Sequence, residues 1–162
     1  MEQKLSRDRI EHLRQDYEQG FVRYCGFKAE EIEYGSFTSR VKIKDHHRQQ
    51  DGFIHAGVMA TMADHTAGYS AFTVVDEAFQ ILTIEFKINF FKPAFGEELE
   101  CRSTTVRKGR QILVAESEVY DCRKDLEKNP CGDQGEGEKV LVAKATVTLM
   151  AVLNKTLLQK KG

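Results

Sequence analysis

The chain has 162 residues, enough for one domain with a substantial core, and its 41% hydrophobic and 30% charged residues are an ordinary globular balance. A formal charge of -1 offers no net basic field of the kind that draws a protein to nucleic acid. The polar opening MEQKLSRDRIEHLRQ lacks the apolar core of an export signal, and no apolar run approaches the roughly 20 residues of a membrane helix. Cys25, Cys101, Cys122 and Cys131 are scattered without paired spacing. Together these features predict a cytoplasmic protein with free thiols and no membrane segment.

An N-terminal helix is expected within residues 1–20, starting near Ser6, which can cap it. Ile10, Leu13 and Tyr17 share one face, and Gly20 is expected to end it. A strand pair follows, in which Phe37, Val41 and Ile43 alternate with Thr38, Arg40, Lys42 and Lys44, while Ser39 interrupts the apolar side. Asp45 to Gly52 is a polar loop. The stretch 56–74, AGVMATMADHTAGYSAFTV, is small and apolar almost all round, which predicts a buried helix.

Four strands are then expected, at about 82–91, about 98–107, around 113–119 and around 141–151. In the first, alternation puts Ile84, Phe86, Ile88 and Phe90 on one face and Thr83, Glu85, Lys87 and Asn89 on the other. Residues 121–139 are too polar and Gly-rich for a core element and read as a long hairpin loop, and NKTLLQKKG reads as a frayed tail. The whole chain, 1–162, is taken as one domain. One buried helix followed by antiparallel strands implies an α+β fold, with the sheet curled around the helix.

Asp64 stands out because a carboxylate on an apolar helix, far from its start, is costly to bury without a partner. Such a group can act as a base or a nucleophile toward an acyl carbon, or simply bond to a neighbouring loop. At the helix start, His55-Ala56-Gly57 offers free N–H groups and the positive end of the dipole, suited to an oxyanion. The plain alternative is a tight turn. Ala56 and Asp64 are eight residues apart, about 12 Å along a helix axis, so one thioester carbon cannot lie against both. If both act, they come from two copies of the helix, side by side and antiparallel.

Gln49 and Gln50 carry amides able to donate to a carbonyl or orient water, and Thr83 a hydroxyl able to do the latter. His55 reads as a structural residue holding the turn, and His65 points about 100° away from Asp64. No metal-ligand spacing, nucleophile elbow or phosphate-binding glycine loop is present.

The run from Gln49 to Asp64, QQDGFIHAGVMATMAD, resembles the signature of hot-dog thioesterases of the phenylacetate-degradation (PaaI) type. That signature is an Asn or Gln, then G-x-x-H-G-G, then a helix bearing Asp or Glu. Thr83 to Ala94 resembles the family's next segment, and Arg107-Lys108-Gly109-Arg110 its following turn. The resemblance implies a hot-dog fold and hydrolysis of an acyl-CoA without metal or redox cofactor. It implies Asp64 as the catalytic carboxylate, Ala56 as the N–H that polarises the thioester carbonyl, Gln49 as the amide residue and Thr83 as an orienter of water. It also implies homodimers pairing into tetramers, with Asp64 of one subunit facing Gln49 and Ala56 of another. Ala56 stands where relatives carry glycine, so a Cβ narrows the approach while the N–H is kept.

Lys92, Arg107, Lys108 and Arg110 are the candidates for the phosphates of CoA, and Phe53, Met59, Phe90 and Phe91 for the acyl group. Two rival readings stand beside thioester hydrolysis. A hot-dog enoyl-CoA hydratase or dehydratase would need a histidine opposite the carboxylate. A non-catalytic acyl-CoA-binding protein would need none of the chemistry.

Overall fold

The structure is a computed structural model describing residues 4–123 and 138–154. The elements are α1 (Arg7–Tyr17), α2 (Gly20–Cys25), β1 (Lys28–Glu33), β2 (Ser36–Lys42), α3 (Ala56–Phe72), β3 (Phe79–Phe90), β4 (Glu98–Lys108), β5 (Ile112–Arg123) and β6 (Glu138–Leu153). The strands form one antiparallel sheet in the order β1-β2-β4-β5-β6-β3, and α3 packs across it, with most of its strand contacts on β4 and β5. This is the α+β hot-dog arrangement. No helix among the described residues is long and apolar enough to cross a membrane.

Several local expectations are corrected. Ser6 caps α1 by accepting the Arg9 N–H at 3.1 Å, but the helix ends at Tyr17. Gly20, with φ of 57°, opens α2 instead of closing α1. Of the 121–139 loop, residues 121–123 and 138–139 belong to β5 and β6, and the remainder lies outside the described residues with Cys131. The expected tail lies outside them from residue 155 onward.

Ser39 lies on the apolar side, as the alternation placed it, and is fully buried beneath α3. Its hydroxyl lies 2.8 Å from Thr66 Oγ1, and the Tyr17 hydroxyl lies 3.1 Å from the same atom. Thr66 gives its own proton to Met62 O at 2.6 Å, so Ser39 and Tyr17 are the donors. Ser117 of β5 donates to Ala63 O at 2.7 Å, and Ser70 meets Thr105 of β4 at 3.0 Å. Hydroxyls from three strands thus fix α3 both along and about its axis. Buried groups of this kind are stabilising while paired and costly when orphaned.

The helix is buried on the sheet side through Met59, Met62, Ala63, Thr66, Ala67, Ser70 and Ala71. It is not buried all round: Gly57, Ala60, Thr61, Asp64 and Gly68 form a partly exposed strip of mostly small residues.

The hydroxyl cluster yields a direct test. Thr66→Val keeps the volume but strips Ser39 and Tyr17 of their shared acceptor, and should cost about 1–3 kcal/mol. Urea unfolding reads this as a lower midpoint at unchanged slope.

Candidate active site

The segment leading to α3 is rigid for reasons visible in its hydrogen bonds. His47 is buried, its Nδ1 accepting the Lys44 N–H at 3.0 Å and its Nε2–H donating to Cys25 O at 2.9 Å. His55 N–H donates to His47 O and Gln49 N–H to Phe53 O, each at 2.8 Å. His55 is the N-cap of α3, with Nδ1 accepting the Gly57 N–H at 2.8 Å.

That cap divides the two expected oxyanion donors. The Gly57 N–H is engaged by His55, so Gly57 does not supply a free donor. Among the described residues nothing accepts the Ala56 N–H. A Cβ at Gly57 would come within 3.0 Å of His55 Nδ1, so the glycine serves the cap.

Ala56 opens onto a cavity of about 270 Å³, walled by Gln49, Phe53, Met59, Phe90, Phe91 and Lys92, with Ile54, Pro93 and Ala94 behind them. The structure therefore brings together Gln49, Ala56, Lys92 and all four residues expected to meet the acyl group. It does not bring Asp64 there, because Asp64 lies about two turns further along α3, nor Thr83, which faces Asp64 from β3.

Asp64 and Thr83 are paired with each other: the Thr83 hydroxyl donates to Asp64 Oδ1 at 2.8 Å. Strict alternation would have pointed Thr83 away from the helix. A bulge reverses this. Thr83 pairs with Leu149 and Phe86 with Val147, both on the inward row of β6, and Ile84 is the extra residue between them. Thr83, Phe86, Ile88 and Phe90 consequently share the inward face. Among the described residues nothing else bonds to the carboxylate, so Oδ2 is open to a water or an acyl carbon.

His65 is held elsewhere. Its Nε2–H donates to Tyr17 O at 3.1 Å, and its ring lies 4.5 Å from that of Tyr17 and 4.9 Å from that of Tyr69. Burial drives its pKa below the ordinary value, so the ring is a neutral core group and not a proton carrier at Asp64. Arg107 and Arg110 are exposed near the β4–β5 hairpin. Lys108 lines a separate groove with Tyr34, Thr73 and Asp76 at the far end of α3. Within one chain none of the three reaches the cavity. No cluster of three metal-binding side chains occurs among the described residues.

Sequence reasoning missed two polar residues behind the cavity, Arg48 and Asp121. Arg48 sat unremarked in a polar loop. Asp121 continues the inward alternation Leu113, Ala115, Ser117, Val119, and a carboxylate at the next inward position was a readable signal.

A family model for the thioesterase superfamily matches residues 51–126. A protein of Saccharolobus solfataricus, provisionally named an esterase, is 30% identical over 99 residues, covering 61% of this chain and 70% of that protein. The crystal structure of a thioesterase family protein from Silicibacter pomeroyi is 31% identical with a TM-score of 0.79, covering 90% of this chain and 99% of that one. The Escherichia coli PaaI protein from the phenylacetic acid degradation operon shares the fold at 15% identity and a TM-score of 0.72, covering 91% and 96%.

His65 gives a pH signature. Its folded pKa lies below the ordinary 6.5, so the unfolded chain binds the proton first as pH falls. Stability is full above that value and is lost progressively as pH drops through and below it; His47 adds in the same direction. Chemical denaturation across pH 5 to 8 should show this slope, and His65→Asn should flatten it.

Proposed function

The chain belongs to the thioesterase superfamily, and from that premise we propose that it hydrolyses an acyl-CoA to free acid and CoA at a site shared by two copies. The observation that carries the reading is the division of the machinery along α3. The free Ala56 N–H opens on the cavity, while Asp64, with Oδ2 open and Oδ1 held by Thr83, stands eight residues away. In an antiparallel pair of helices, each Ala56 meets the other copy's Asp64, and two complete sites form.

The reaction then runs through these groups alone. The Ala56 N–H, with the Gln49 amide beside it, polarises the thioester carbonyl. Asp64 takes a proton from water as the oxygen bonds to the acyl carbon, or attacks that carbon itself, and Thr83 holds the carboxylate in place through its hydrogen bond. The C–S bond breaks and the CoA thiolate leaves to be protonated; where Asp64 has attacked, water then cleaves the acyl–Asp64 anhydride, releasing the free acid and restoring the carboxylate. No metal or redox cofactor is required. The hydratase reading loses ground because His55 is occupied as a cap and His65 is buried against Tyr17.

The sheet edges support the same pairing. β1 is a short edge, bulged and carrying Lys28, Glu30, Glu31 and Glu33. β3 is a 12-residue edge with Leu82, Ile84, Phe86 and Phe90 exposed. A long apolar edge is a template for another strand, and each such half-exposed side chain gains about 1 kcal/mol when its remaining surface is buried. Two β3 strands paired antiparallel near their middles set the end of one beside the start of the other. Ile112, next to the β4–β5 hairpin, lies level with Leu82 near the start of β3, through their shared partner Met150. That arrangement carries Arg107, Lys108 and Arg110 toward the partner's cavity, where Lys92 is already placed, to meet the CoA phosphates. We expect such dimers to pair further into tetramers.

Thiol release from a panel of acyl-CoAs is the first test. Asp64→Asn should lower kcat by about 10²–10⁴; equal turnover would remove Asp64 from the chemistry, and tight binding without turnover would point to a binding protein. Sharing between copies has its own test. Ala56→Pro deletes the N–H at a helix position that tolerates proline. Each variant alone should be nearly inactive, but Ala56→Pro and Asp64→Asn refolded together should recover about a quarter of the wild-type rate, since half the dimers carry one intact site of two. No recovery would place both groups in one chain.

A further inference from the structure

The cavity is walled by two segments distant in sequence, the loop 49–54 and the turn 91–94, and both are tied from behind. Arg48 is one tie: its guanidinium donates to Gly52 O at 2.9 Å and to Gly96 O at 3.0 Å. Next to it, Ile54 N–H donates to Ala94 O at 2.8 Å. The second tie is Asp121, near the end of β5 and 0% exposed. Its Oδ1 accepts the Gly96 N–H at 2.9 Å, and its Oδ2 accepts the Phe95 N–H at 3.3 Å and Arg123 Nε at 2.9 Å. The Arg123 guanidinium lies 4.1 Å over the Phe95 ring. The fit at Gly96 is close, since a Cβ there would come within 2.3 Å of Asp121 Oδ1 and 2.7 Å of Cys122 O.

A carboxylate removed from water is costly unless its bonds are met, and here every bond but one goes to the backbone of a single turn. That turn is continuous with the wall residues Phe90 to Ala94. We infer that Asp121 is a positioning residue for the substrate: through Phe95 and Gly96 it seats this wall against the Arg48 loop and so sets the width of the cavity. The inference deepens the thioesterase reading and rests on it. A wall that holds the substrate equally before and during reaction acts on KM and on acyl selectivity, whereas Asp64 acts on kcat.

Three variants, Asp121→Asn, Asp121→Ala and Gly96→Ala, separate this from general destabilisation. Kinetics over acyl-CoAs of increasing acyl size should show KM raised about tenfold or more for the best substrate, with kcat little changed and preference among acyl sizes flattened. Asp121→Asn, which keeps one acceptor oxygen, should be the mildest. Gly96→Ala breaks the same contact from the other side, so adding it to Asp121→Ala should cause little further loss. Hydrogen exchange in the full-length protein should quicken in both 48–54 and 91–97. A lower melting temperature with KM, acyl preference and exchange in those segments unchanged would overturn the inference, as would a fall in kcat alone. If the wild type turns over no acyl-CoA, the thioesterase reading fails, and exchange still decides the tie: quickening in both segments upholds it and none overturns it.

Discussion

The angular setting of α3 governs everything else. Thr66, Ala63 O and Ser70 engage Ser39, Ser117 and Thr105 on three different strands, so the helix can neither roll nor slide without orphaning buried hydroxyls. With that rotation fixed, Asp64 is presented toward β3, where Thr83 waits, and Ala56 toward the cavity. The rise of about 1.5 Å per residue then makes their separation a constant of the fold. A site needing both groups has to be completed from outside the chain, and this turns a local feature of one helix into a demand on assembly.

The sheet itself is asymmetric. Its two edges have opposite characters, β1 short and charged, β3 long and apolar. The charged ladder on the outer face has the same effect as the β1 edge. Burial alone would raise the Glu100 carboxyl, yet the hydrogen bond from Lys139, the Arg40 charge and Arg102 outweigh it and hold it below the usual range. This face is satisfied by its own ion pairs, whereas β3 exposes Leu82, Ile84, Phe86 and Phe90.

Much of this was legible in the sequence because period and composition carry it. The apolar stretch 56–74 reads as a buried helix, the alternation of Leu113 to Val119 as a half-buried strand, and Asp64 as an anomaly. What escaped were features that break a period by one residue or depend on partners far along the chain. The bulge at Ile84 inverts the face of Thr83, and no composition signal marks it. Gly20 ends one helix in the sequence reading and begins another in space, because a positive-φ glycine suits either junction. Ser39, read as an interruption, is a donor in the core, since Thr66 lies 27 residues away and cannot be anticipated locally. The Gly57 N–H looked like a free donor until the tautomer and rotamer of His55 were in view.

The alanine at position 56 is a detail of the same kind, set by local geometry. Positive φ among the described residues occurs at Gly20, Gly26, Gly35 and Gly52, and no non-glycine residue adopts it. Ala56 sits at the first helical position with an ordinary helical conformation, so nothing in the backbone requires glycine there. Its Cβ leaves the N–H, the cap and the helix dipole unchanged. The effect of the methyl group is confined to space in a cavity already lined by Phe53, Phe90 and Phe91. At this position the side chain therefore takes up space in the cavity while the N–H and the positive end of the helix stay as they would be with glycine.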